Sequence, residues 1–139
     1  MLDVSVQELG ESFQKHYEVY KNGLGSDNSK RLALFYAVEC GLKGILLKKY
    51  HVFLYSKLDE KYQYGHDIKK ILKNFGIESS YKLNSFQTKH KDQVHVEHYH
   101  EVWRYGMELD QRNEEIVKEI EANLSDIAKW IDENRMKRW

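Results

Sequence analysis

Between residues 29 and 50 the chain is apolar on more than one side, and this stretch constrains the fold more than any other feature. Leu32, Phe35, Leu42 and Leu46 recur at helical spacing, and Leu34, Val38 and Ile45 form a second stripe. A helix with two apolar stripes has to be surrounded by neighbours. Ala33, Ala37, Gly41 and Gly44 make a third row, of small residues, which lets another helix or a second subunit approach closely. Each glycine costs about 1 kcal/mol of helix propensity against alanine, and close packing would offset that. One carboxylate, Glu39, stands in line with the first stripe, where it is costly unless paired. Lys43 follows at the i, i+4 spacing that lets the two meet. Two readings stay open for the pair: a structural contact at the rim of the core, or a polar site in a cleft of the bundle.

The rest of the chain supplies the neighbours. It contains no proline, so the strongest helix breaker is absent throughout. Val6, Leu9, Phe13, Tyr17 and Tyr20 predict a helix over residues 3–20, with Asp3 as N-cap and Gly23 as its stop. Residues 23–28 read as a loop. Asp67 can cap a helix carrying Ile68, Ile71, Leu72 and Phe75, ended by Gly76. A further segment begins near Val94 and includes Val102, Trp103, Tyr105, Met107 and Leu109. The last helix is expected over residues 110–134, on the stripe Ile116, Ile120, Leu124, Ile127 and Ile131, with Gly106 separating it from the segment before. Residues 51–65 receive no assignment, and residues 78–93 are polar, with a short helix expected around Leu83 and Phe86. The 139 residues hold no repeat or linker. The expectation is one domain over residues 1–139, all-α, an antiparallel bundle of four to five helices.

Charge and cysteine usage narrow the functional classes. Lys and Arg number 22 and so do Asp and Glu, which argues against a dominant nucleic-acid footprint while leaving room for a local basic patch. The lone Cys40 cannot form an internal disulfide. Asp3 and Glu8 interrupt any N-terminal signal pattern, and no apolar run reaches the roughly 18 residues needed to cross a bilayer. A cytoplasmic protein with no membrane partner is expected. No cofactor motif is present, so none is expected.

Several side chains could carry chemistry. His90, His95, His98 and His100 crowd together with Glu97 and Glu101. On a helix, His98 and Glu101 share a face, and His95 with His98 could hold a divalent metal, giving His95, His98 and Glu101 as candidate ligands. Their spacing is not that of a zinc motif, and a pH-sensitive, RNA-facing or merely solvated face are the alternatives. His100 and Arg104 also share a face and are candidates for phosphodiester cleavage, the imidazole as general base and the guanidinium as oxyanion partner. Lys69, Lys70 and Lys73 form a basic patch that, with Tyr62 and Tyr64, could hold RNA phosphates and stack bases; ordinary solvated lysines are the plainer reading.

Three pieces of sequence together resemble the HEPN family. Ala37-Val38-Glu39-Cys40-Gly41-Leu42-Lys43-Gly44 is similar to its second helix, where a Glu precedes a Leu-Lys pair. Gly65-His66-Asp67-Ile68 is similar to the His-Asp-Leu start of its next helix, and Trp103-Arg104-Tyr105 to the Arg-Tyr of a later stretch. The resemblance implies a helical bundle that dimerises. It implies either a ribonuclease of a defence or toxin–antitoxin system, or a non-catalytic module binding RNA, a nucleotide, or a nucleotidyltransferase or toxin partner. Glu39, Lys43, His66, Arg104 and Tyr105, with Lys69, Lys70 and Lys73, are the ligand- or partner-binding candidates. Catalytic members carry an Arg followed four to six residues later by His. Here no histidine follows Arg104 or Arg112 anywhere in the chain, so the family's metal-independent ribonuclease pair is missing and a binding role is expected.

Overall fold

The computed structural model describes residues 2–23 and 25–139. Its α-helices are α1 (Val6–Asn22), α2 (Asp27–Lys49), α3 (Ile68–Asn74), α4 (Tyr99–Tyr105) and α5 (Gln111–Asn134). Two two-residue strands, β1 (Phe86–Gln87) and β2 (Gln93–Val94), form a small antiparallel hairpin in register Phe86↔Val94. Short 3₁₀ turns fill part of the connections.

Local chemistry sets the helix ends. α1 starts at Ser5, not Asp3. The Ser5 hydroxyl accepts from the Glu8 N–H, and the Glu8 carboxylate accepts from the Ser5 N–H, a reciprocal capping box. Asp3 instead accepts from the backbone N–H and hydroxyl of Ser56, tying the N-terminal segment to the connection after α2. Gly23 closes α1 with φ +67°, a left-handed cap where glycine carries no Cβ penalty. Leu24, within the expected loop, lies outside the described residues. α2 begins at Asp27, capped by Ser26. Asp67 and Asp110 cap α3 and α5 through their carboxylates, and Gly106 ends α4 in the left-handed region.

α2 is the central element. Leu34, Phe35, Ala37, Val38, Leu42, Ile45, Leu46 and Leu47 are all buried, and α1, α3, α4 and α5 all pack against it. The small-residue row faces neighbours of the same chain. A Cβ at Gly41 would stand 2.6 Å from Ile131 Cγ2 and 2.9 Å from Phe13 Cδ1, whereas one at Gly44 would meet Leu9 Cβ at 3.5 Å. Close approach of α1 and α5 thus accounts for the glycine at position 41.

Pairings along the helices give their directions. Leu9 lies by Gly44, and Ser12 by Cys40, so α1 is antiparallel to α2. Arg31 bonds Glu121 and Ile131 lies by Gly41, so α5 runs parallel to α2. The expected all-antiparallel arrangement therefore holds for α1 against α2 and not for α5. Residues 50–110 carry the chain back to the starting end of α2 before α5 begins.

Arg31 fastens this parallel pair. It is 5% exposed, with Nε 2.7 Å from Glu121 and Nη1 3.3 Å from Glu114, while Tyr20 donates to Glu121 from α1. Burial and the Glu121 carboxylate push the Tyr20 hydroxyl up to about 12.

Two further expectations fail here. Around Leu83 and Phe86 there is no helix: Phe86 enters β1, and the backbone N–H of Gln87 donates to the side chain of Asn113. The helix expected from Val94 begins only at Tyr99, because Val94 is paired in β2. No helix of the described residues is long and apolar enough to cross a membrane.

Candidate functional site

Polar side chains from three elements meet where α2, the start of α3, and α4 converge. α2 brings Glu39 to the edge of the core, 6% exposed, with Lys43 one turn on. The turn before α3 brings His66, whose Nδ1 lies 2.5 Å from Glu39 Oε1. α4 brings His100, whose ring centroid lies 4.3 Å from that of His66. His100 also stacks on Phe35 at 5.7 Å. Lys43 Nζ reaches Glu39 at 3.6 Å and lies over the Tyr55 ring at 5.3 Å.

Glu39 thus has two cationic or potentially cationic partners, which is how a carboxylate is tolerated in an apolar stripe. The Glu39–His66 contact fixes the His66 ring and leaves its other nitrogen for a further partner. His66 is half exposed at its side chain, whereas His100 is 6% exposed. Burial, followed by the neighbouring His66 and Arg104, holds His100 below the ordinary imidazole value, against the pull of Glu101 and Glu39. Among the described residues, His100 Nδ1 and Trp103 Nε1 are buried without a hydrogen-bond partner.

The remaining candidates are distributed as follows. Arg104 lies on the exposed side of α4, where it donates to the Tyr36 hydroxyl. Arg104 lies near enough to His100 to lower its titration, but the His100 ring is buried while the guanidinium is on the exposed side against Tyr36. Tyr105 is exposed beside it. His95 precedes the helix in extended conformation, with Nδ1 3.0 Å from Ser85 Oγ, so it does not share a helical face with His98. His98 is instead paired with Glu101. The expected His95, His98, Glu101 metal set is not assembled, and among the described residues no three His, Cys, Asp or Glu side chains converge to hold an ion.

The lysine patch divides. Lys69 lies with Asp67, His95 and Glu97, while Lys70 and Lys73 line a different groove with Lys61, Gln63, Tyr64 and Asn74. Sequence reasoning missed Asn74, Lys61 and the aromatic floor of the Glu39 site, Phe35 and Trp103. No spacing rule links residues that meet only through the tertiary fold.

Compared with family models, with curated proteins and with solved structures, the chain matches none.

Proposed function

We propose that this chain is a HEPN-like helical module that binds RNA at the surface where α2, α3 and α4 meet, without the family's metal-independent ribonuclease chemistry. One observation carries the reading. Two of the pieces that resemble the family supply Glu39 and His66, whose side chains meet, and α4, which carries the third piece, Trp103-Arg104-Tyr105, brings His100 against His66. Arg104 and Tyr105 provide a guanidinium and an aromatic ring at the exposed rim, the groups that engage phosphate and an unstacked base. A binding role suits the site better than cleavage, because its deepest imidazole is shut from solvent and no Arg-then-His pair exists. The same reading carries a homodimer in the cytoplasm. Its setting would be a prokaryotic defence or toxin–antitoxin system with a nucleotidyltransferase or toxin partner, which rests on the family resemblance alone.

The test is fluorescence anisotropy with labelled single-stranded RNA at low and moderate salt. Binding that weakens with salt, and weakens about tenfold in Arg104→Ala, is expected. Absence of binding even at low salt refutes the reading.

A second reading is favoured by the 4.3 Å approach of His66 and His100. His66, the half-exposed member of the pair, can take the 2′-hydroxyl proton of RNA and hand it on to the departing 5′-oxygen, leaving a 2′,3′-cyclic phosphate, with the buried His100 ring packed against it. Chelator-resistant cleavage of total RNA, abolished by His66→Ala, would put this reading ahead of the first.

A further inference from the structure

A cavity of about 40 Å³ lies where α1, α2 and the end of α5 meet. That is several times the roughly 10–15 Å³ that one water needs, which gives room for a few heavy atoms and no more. Val6, Gly10, Gly44 and Ile45 give it apolar walls, and Lys48 and Arg135 are its charged ones. The Lys48 ammonium donates to the Arg135 backbone carbonyl, and no carboxylate lines the cavity to pair with either cation.

Arg135 is short of acceptors for a cation so far from water. Its side chain is 21% exposed, with the guanidinium over the Phe13 ring at 5.4 Å, and Nε is buried without a hydrogen-bond partner. Asp132 Oδ1 stands 3.6 Å from Nε, too far for a hydrogen bond, on a side chain that is itself mostly in solvent. A guanidinium withdrawn from water and left without acceptors costs stability, and a bound anion would supply them. Gly10 faces this group from α1. It sits inside a helix, where glycine lowers propensity, and no turn or positive φ calls for it. The nearest atom to a Cβ there would be Arg135 Nη1, at 3.8 Å, so the glycine keeps space open in front of the guanidinium. Contact with Phe13 holds that group in place already, so little entropy is lost when a ligand arrives.

We propose that this cavity binds a free carboxylate of two or three carbons, its oxygens on Arg135 and Lys48 and its alkyl end against Val6, Gly44 and Ile45. The planar guanidinium matches the two oxygens of a carboxylate side by side. An inorganic anion would leave the apolar walls unmatched, and a neutral molecule would leave the two cations so. The site shares no residue with the Glu39–His66–His100 contact and does not depend on RNA binding there.

Backbone amide NMR titration of the full chain at neutral pH and fixed ionic strength tests the assignment, with acetate, propionate, pivalate, acetamide and chloride as probes. Acetate and propionate should shift residues 6–10, 44–48 and 131–135 and saturate in the millimolar range, as befits ligands of so few atoms. Pivalate carries the same charge on a wider alkyl end and should be excluded. Acetamide, without the charge, and chloride, without the alkyl group, should bind far more weakly. Arg135→Gln should lose about tenfold or more in acetate affinity, while Arg138→Gln keeps it; circular dichroism confirms that both are folded. Gly10→Ala should weaken acetate binding yet raise the melting temperature of the ligand-free chain, because its methyl group takes up the space and restores helix propensity. The proposal is overturned if neither acid shifts those residues, if chloride or acetamide matches acetate, if pivalate binds as acetate does, or if Arg135→Gln or Gly10→Ala binds as the parent does.

Discussion

Glu39 is held by His66 on one side and Lys43 on the other, and the energetic asymmetry of such a cluster makes it testable. Removing the carboxylate leaves the largely buried Lys43 ammonium without its counter-charge. Glu39→Ala is therefore expected to lower unfolding stability by about 2 kcal/mol in urea denaturation, below the figure for fully buried pairs because Lys43 keeps some solvent. Glu39→Gln retains a hydrogen-bond partner for His66 and should lose about half as much. His100 gives a pH dependence of defined sign. Its folded-state titration lies below the ordinary value of 6.5, through burial first, so the unfolded chain binds the proton first. Stability is then complete above that value and falls as the pH drops below it. His16, lowered by burial on α1, acts in the same direction. The denaturation midpoint should fall between about pH 7.5 and about pH 5.5, and His100→Phe, which keeps the stack on Phe35, should make the fall shallower. A midpoint flat across that window would contradict the burial of both imidazoles. At this scale the sequence disclosed which residues are chemically interesting but not their partners. The Glu39–Lys43 spacing was legible because it is local. The contact of His66 with His100 joins side chains 34 positions apart, and no periodicity encodes it.

The two glycines of α2 separate at the scale of the helix. A methyl group at Gly41 would drive into Ile131 and Phe13, whereas one at Gly44 would rest on Leu9 at ordinary contact distance. Gly41→Ala should destabilise by about 1–2 kcal/mol, overpacking outweighing the gain in helix propensity. Gly44→Ala should stabilise by about 0.5–1 kcal/mol, because propensity acts alone there. Thermal melting of the two variants side by side decides this, and equal signs would mean that α5 does not press on Gly41. The helices themselves were readable from apolar spacing, and so were the stop at Gly23, the cap at Asp67 and the break at Gly106, each set by its own local chemistry. Three elements were not. Ser5 displaced Asp3 as a cap because a partner three residues on, Glu8, completes the reciprocal pair. The β1–β2 hairpin is too short to show alternation. The phase of α5 is set by packing: Val117 is buried where the apolar stripe named Ile116, and Asn113 is turned inward to hold the hairpin.

On the scale of the whole molecule, α2 is the element that every other helix touches, so the fold has no subset of helices with a separate core. Unfolding is expected as one transition, with far-ultraviolet and near-ultraviolet dichroism superimposing, since Trp103 lies in the core and Trp130 packs against it. Two separated transitions would show that α5 or α4 melts independently. The all-α class was legible from the stripes, while the direction of α5 was not, because it depends on where a connection of about 60 residues delivers the chain. That connection also orders events during synthesis. α2 leaves the ribosome well before the helix that covers its far flank has been translated, and the Arg31 guanidinium must wait for carboxylates up to 90 positions downstream. Until residue 131 arrives, α2 exposes the apolar flank that α5 covers, so a stalled or truncated product is a natural client for chaperones and proteases rather than a smaller working version of the protein.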